Sequence, residues 1–176
     1  MPKPNRDPLL GTVRVALSIA MIFAVGLGLA MLVSIPLVSI WRDHILSEIA
    51  LRGTVHVPPN FILVICGISA FIALAAALGF LFLRELRQII DTVAEGDPFI
   101  PDNALRLERM GWLAVAIQLI AIPAGALAGW VSYLTHIHDI AISVSLSGVL
   151  LALILFVLAR VFRTGAAMRD ELEGTV

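Results

Sequence analysis

Four long apolar runs constrain the fold of this chain more than any other feature. They cover about residues 15–40, 61–83, 111–134 and 140–158. A helix of about 20 apolar residues crosses the ~30 Å hydrocarbon core of a bilayer, and each run is near or above that length. The composition agrees: 60% of the 176 residues are hydrophobic and 14% are charged, where soluble domains have about 45–50% and about 25%. We predict an all-α, polytopic membrane protein, an antiparallel four-helix transmembrane bundle forming a single domain over residues 1–176.

The distribution of Lys and Arg predicts the orientation of this bundle. Three lie before the first run, four in the bridge (residues 84–110) and three in the tail (residues 159–176), against two in the first outer connector. Cytoplasmic loops carry the excess of Lys and Arg. We therefore expect both termini and the bridge in the cytoplasm. The first run exceeds the roughly 7–15 apolar residues of a secretory signal, so we interpret it as an uncleaved span.

The bridge has the pattern of two helices joined by a rigid turn. Leu86, Ile89 and Val93 recur at helical spacing, which predicts an amphipathic helix continuing from the second span. Gly96 would end that helix, because glycine readily adopts the left-handed conformation found after helix ends. We call residues 96–99, Gly-Asp-Pro-Phe, the elbow.

The elbow is expected to fold back onto the bundle. Phe99 should pack near Phe162, while Asp102 or Asn103 caps the third span. We also expect Arg106 or Arg109 to meet acidic side chains of the bridge or tail. The bridge and tail would together form one cytoplasmic docking surface. Its proposed residues are Glu95, Gly96, Asp97, Pro98, Phe99, Asn103, Arg106, Arg109, Arg160, Phe162 and Arg163.

Small residues within the spans indicate where helices approach closely. Ser69, Ala73 and Ala77 lie four apart on the second span, and Gly125 and Gly129 form a G-x-x-x-G match on the third. Small side chains allow close backbone approach in membranes. The pattern fits packing within the chain and also self-association into a homo-oligomer, and both remain open.

Two cytoplasmic pieces of the sequence resemble a known family. The first is Glu95-Gly96-Asp97-Pro98-Phe99 with Asn103-Ala104, Arg106-Leu107 and Gly111-Trp112; the second is residues 159–163 with Gly165 and the ending 171–176. Here the chain resembles the bacterial membrane proteins catalogued as domain of unknown function two-nine-seven-five. The resemblance implies a four-span protein of the bacterial inner membrane with no assigned activity. Some relatives are encoded beside a small Cro-like helix-turn-helix regulator, which the resemblance suggests as a protein partner.

The residues give little indication of chemistry. No nucleophile–base pair, phosphate-binding glycine loop or catalytic carboxylate pair is recognisable, so we expect no enzyme and no cofactor. The net charge of −1 gives no basic field for direct nucleic-acid contact. The histidines fall in the outer connectors, and whether they bind metal stays open. They are His44, His56, His136 and His138. Gln118 is the main polar residue in a span, and it is expected to bond another helix.

Two function classes follow. The first is a membrane-anchored interaction or regulatory protein that uses the bridge and tail for docking. The alternative is a small oligomeric transport or channel subunit. Polar residues along a continuous bundle interior would favour transport, whereas a dry interior with an ordered cytoplasmic face would favour interaction.

Overall fold

The structure is a computed structural model that describes residues 8–51, 58, 60–135 and 145–173. This part of the chain contains helices and no strand. The helices are α1 (Pro8–Ile40), α2 (Arg42–Leu51), α3 (Phe61–Ala94), α4 (Pro101–Thr135) and α5 (Leu146–Glu173). All except α2 are long and apolar enough to cross a membrane. The predicted all-α fold with four spans is therefore confirmed, and the chain is a multi-pass membrane protein.

Each long helix packs against the next long helix of the chain: α1 on α3, α3 on α4, and α4 on α5. Neighbours run antiparallel. Arg14 near the start of α1 pairs with Asp91 near the end of α3. Phe61 at the start of α3 packs with Val131 near the end of α4, and Glu108 early in α4 pairs with Arg163 late in α5. Within the described residues, α1 and α5 have no comparable contact. All four long helices nevertheless line an open cleft of about 440 Å³, which we call the central cavity.

Small residues mediate the helix contacts, though not all of those predicted. Ser69 and Ala73 are buried, as expected. Ala77 is exposed, and its neighbour Ala76 is buried instead. A Cβ atom at Gly28 of α1 would lie 3.6 Å from the Cβ of Ala76, so this is where α1 and α3 approach closely.

The contact face of α4 differs from the predicted one by one residue. Gly129 is exposed, and a Cβ atom there would meet nothing within 4 Å. Gly125 is half-buried, whereas Ala124 and Ala128 are buried, Ala128 completely. The prediction that Ala77 and Gly129 make contacts within the chain is therefore wrong. Self-association through them stays a prediction.

Helix α5 begins at Leu146, within the predicted fourth span, and continues into the tail, where the residue pattern favours an extension of the helix. Residues 140–144 of the predicted span lie outside the described residues. Gly148, on the first turn of α5, packs on Gln118, which lies midway along α4. The helix then continues without a break to Glu173, so most of the predicted tail is helical. The described part of α5 packs along the N-terminal half of α4, the half that follows the elbow.

Two apolar clusters hold the ends of the bundle. At the elbow end, Ile89 of α3, Met110 of α4 and Leu155 of α5 share one core. At the opposite end, Phe61 and Val131 form the other, against which the short helix α2 packs Ile45. The elbow end thus joins three helices, and a chain segment outside the spans is built onto it.

A candidate docking surface at the elbow end of the bundle

Helix α3 ends in a Schellman motif centred on Gly96. Gly96 has φ of 92° and donates its N–H to the carbonyl of Val93 at 3.1 Å, while Asp97 donates to Thr92 at 3.2 Å. These two bonds satisfy carbonyl groups that the helix end leaves free, and the positive φ favours glycine. The predicted helix stop at Gly96 is confirmed. Glu95, at the C-cap position, is exposed.

Helix α4 begins at Pro101, earlier than the sequence suggested. Proline suits the first helical position, because its missing N–H would have no helical partner there. Asp102 and Asn103 therefore lie within the first turn, and the predicted capping role of either residue is wrong. The backbone N–H of Asn103 donates to the carbonyl of Ile100 at 3.0 Å.

The Asn103 side chain instead joins α3, the elbow and α4. It is 0% exposed. Its amide nitrogen donates to Thr92 Oγ1 at 2.7 Å and to the Pro98 carbonyl at 2.9 Å. Its amide oxygen accepts a bond from Arg106 Nη1 at 2.8 Å. A buried amide satisfied on both sides fixes the geometry of the groups around it. The resemblance included Asn103, but no local spacing pointed to Thr92, eleven residues earlier.

Phe99 closes the elbow onto α5, as predicted. Its ring centroid lies 5.2 Å from that of Phe162, with the ring planes tilted by 39°. Gly165 provides the space, since a Cβ atom there would lie 2.9 Å from Phe99 Cδ1. Phe99 is still 42% exposed, so the ring is only partly covered. Its partial burial therefore stabilises the fold by less than full burial of a large apolar side chain would, which contributes about 1.5–3 kcal/mol.

Ion pairs connect the same parts of the chain. Asp97 of the elbow pairs with Arg169 of α5, and Arg163 of α5 pairs with Glu108 of α4 at 2.6 Å. Together with the pair between Arg14 and Asp91, they bring α1, α3, α4, α5 and the elbow to one end of the bundle. All are partly exposed, and such pairs typically contribute about 0–1 kcal/mol each.

The arginines of α4 behave differently from the prediction. Arg106 bonds the Asn103 amide instead of an acidic side chain. Arg109 is exposed and has no ion pair within the described part of the chain. Within the described residues, neither arginine therefore has the predicted acidic partner. Arg160 is exposed beside Arg163 and Glu108, in a cleft between α4 and α5.

The bundle interior offers little polar chemistry. The walls of the central cavity are apolar except for Gln118. Its amide nitrogen donates to the Ser145 carbonyl at 2.5 Å, just before α5 begins, so the expected bond between helices is present. His44 lies against Trp41, while His56, His136 and His138 lie outside the described residues. Within the described ranges, no three His, Cys, Asp or Glu residues come together in a way that could hold a metal ion.

Comparison with known proteins gives one match. Residues 54–176 match the family described as "Protein of unknown function (DUF2975)". The match spans α3, the elbow, α4 and α5, which are the parts that form the surface described above, and it begins after α2. No curated protein and no solved structure matches significantly. Because the match covers well over half of the sequence, the chain belongs to this family of proteins of unknown function.

Proposed function

We propose that the protein is a membrane-anchored interaction or regulatory protein whose docking surface is the elbow with the adjoining end of α5. The observation that supports this most is the way the elbow is fixed. A Schellman motif, a buried amide and a ring contact hold four residues in place. A Schellman motif is a common helix end, but a segment that only joined two spans would need neither the buried amide nor the ring contact. Their combined effect is to hold one surface outside the spans in a fixed shape.

The exposed side chains of this surface suit a protein partner. Phe99 is part of it, and Met168 lies one turn beyond Gly165 on α5 and is 56% exposed. Aromatic residues and methionine are enriched in protein–protein interfaces. Glu95, just before the elbow, and Asp102, three residues after Phe99, are exposed and add charged groups. The surface therefore combines apolar anchors with a charged rim.

The interior argues for docking over transport. A pathway for ions or polar solutes normally retains ionisable residues within the spans despite their cost. The central cavity contains Gln118 as its polar residue, and that amide is bonded to Ser145. A transport or channel subunit is therefore the less supported alternative.

We place this surface in the cytoplasm, on the inner membrane of a bacterium. The uneven distribution of Lys and Arg supports the orientation, and the family resemblance suggests the bacterial membrane. The proposed partner is a protein, and the resemblance suggests a small helix-turn-helix regulator.

Site-specific photo-cross-linking tests the docking proposal. A photoreactive amino acid at Met168 should give a discrete protein adduct in cells. If the partner is the small helix-turn-helix regulator, a tagged copy of it should be detected in the adduct by an antibody against the tag. The matched control is Leu63, which is also largely exposed but lies at the opposite end of α3. Protein adducts absent at Met168, or equal at both positions, would contradict a docking surface at the elbow. An adduct lacking the regulator would remove the regulator as partner while keeping the surface.

A further inference from the structure

Two hollows lie between α4 and α5, one at mid-bundle and one nearer the elbow end, and we call them together the groove. Its apolar part has a volume of about 270 Å³, and its polar part, nearer the elbow, about 180 Å³. Phe156 lines both parts, so they meet at its ring. Leu119 and Leu153 line the apolar part and are largely exposed, which opens it toward lipid.

The polar part carries an excess positive charge. It is lined by Arg160, Arg163 and Glu108. Glu108 pairs with Arg163 at 2.6 Å, whereas Arg160 has no ion pair within the described ranges. Two guanidinium groups against one carboxylate leave one positive charge. Basic pockets between membrane helices are typical sites for the head groups of anionic lipids.

The length of the groove matches the thickness of the hydrocarbon layer in one bilayer leaflet. Val149 in its apolar part and Arg160 in its polar part are eleven residues apart on α5, a rise of roughly 16 Å. Half the hydrocarbon core is about 15 Å thick. Trp112 packs edge-on against Phe156, with ring centroids 5.3 Å apart, where the two parts meet. Tryptophan is enriched at this level of membrane proteins, between hydrocarbon and head groups.

We propose that this groove binds one anionic phospholipid of the bilayer. The phosphate contacts Arg160 and Arg163, and an acyl chain lies along Leu119 and Leu153. The excess positive charge favours a lipid with net negative charge, such as phosphatidylglycerol, over phosphatidylcholine, whose choline group it repels. This inference goes beyond the proposed docking function and does not depend on it.

Quenching of Trp112 fluorescence by brominated lipids tests the proposal. Trp41→Phe and Trp130→Phe leave Trp112 as the single tryptophan, and the protein is reconstituted in phosphatidylcholine vesicles. At equal low mole fraction, brominated phosphatidylglycerol should quench Trp112 more than brominated phosphatidylcholine. Equal quenching by the two lipids would overturn the proposal.

Arg160→Gln tests the head-group contact. Loss of one charge near the membrane surface should lower the preference for phosphatidylglycerol about fivefold. Arg87→Gln is the matched control, because Arg87 is also exposed. Arg87 also lies at the same level of the bundle as Arg160. Ile89, two residues after Arg87, and Ala159, next to Arg160, belong to one core cluster. The site would be refuted if the preference for phosphatidylglycerol fell equally in both variants or stayed unchanged in Arg160→Gln. The preference would then come from the general positive charge of this end of the bundle.

Val149→Phe tests the apolar part. Val149 is partly exposed in the groove, so the larger side chain fills the space without entering the core. Quenching by brominated phosphatidylglycerol should fall although both arginines are retained. If it did not fall, the acyl chain would lie elsewhere and the proposed groove would be wrong.

Discussion

Asn103 links α3, the elbow and α4 through a single side chain. It bonds Thr92 at the end of α3, the Pro98 carbonyl and Arg106. Phe99 and Gly165 form a second such unit, in which an aromatic ring lies over a position that lacks a side chain. In both cases the geometry depends on the size and polarity of one residue. Substitutions at these positions therefore test the elbow directly.

Asn103→Ala should destabilise the protein by about 1–3 kcal/mol, because the bonding groups of Thr92 and Arg106 lose a buried partner. Thermal unfolding in detergent and proteolysis at the elbow would measure the effect. Asp102→Ala, at the exposed neighbouring position, is the control and should change little. Equal melting temperatures for Asn103→Ala and the wild type would show that the amide does not hold the elbow.

Gly165→Ala should displace the Phe99 ring from Phe162, because the new Cβ atom would lie 2.9 Å from it. In a Phe99→Ala background the same change should instead stabilise α5 by up to about 1 kcal/mol, since alanine favours helix more than glycine. A double-mutant cycle of unfolding free energies would measure the coupling. If the changes in unfolding free energy of the two single variants simply added up in the double variant, the Phe99 ring would be able to move away from position 165 without loss of stability.

At the scale of helices, α4 shows what determines which face of a spanning helix packs against another helix. Ala124 and Ala128 form its buried small-residue face, while Gly129 is exposed. In a soluble helix a polar face would reveal which side points outward. In a span, lipid-facing and helix-facing sides are both apolar, and packing alone distinguishes them.

This explains what could be predicted from the sequence and what could not. Run length and composition were enough for the spans, and Gly96 marked the end of α3 because a left-handed residue favours glycine. The rotation of α4 was not predictable, since alanines and glycines give overlapping small-residue stripes one residue apart. Nor was the Asn103 bond to Thr92, which depends on how α3 and α4 meet.

Ala128→Leu and Gly129→Leu should therefore have opposite outcomes. Overpacking at the fully buried Ala128 should cost about 1–3 kcal/mol, whereas Gly129→Leu should leave stability unchanged or slightly raised. Melting temperatures in detergent compare these two neighbouring changes of similar size. A marked loss of stability in Gly129→Leu would reveal a contact with a second copy of the chain, which size-exclusion chromatography would then detect as a changed oligomeric state.

At the scale of the whole molecule, the ion pairs place the start of α1, the elbow and the end of α5 at one end of the bundle. Helix α2 lies at the opposite end, where Ile45 joins the cluster around Phe61. The two ends also differ in Lys and Arg content: of the nine within the described residues, eight lie towards the elbow end and Arg42 lies at the other. This difference predicts that the elbow end faces the cytoplasm.

Single cysteines in a Cys66→Ser background should report that sidedness. Asp102→Cys should react with an impermeant thiol reagent only after cells are permeabilised, because the elbow end is expected in the cytoplasm. Glu48→Cys, exposed on α2, should react in intact cells. Labelling of position 102 in intact cells would reverse the proposed orientation.

The packing of each long helix on its successor has a consequence for biogenesis. As the chain is synthesised, every newly inserted helix finds its partner already in the bilayer, so α3 meets α1, α4 meets α3, and α5 meets α4. The elbow is made before α5, but the ring contact of Phe99 and the ion pair of Asp97 form with the later part of that helix. The surface at this end is therefore completed last, when Phe162, Gly165 and Arg169 have left the ribosome.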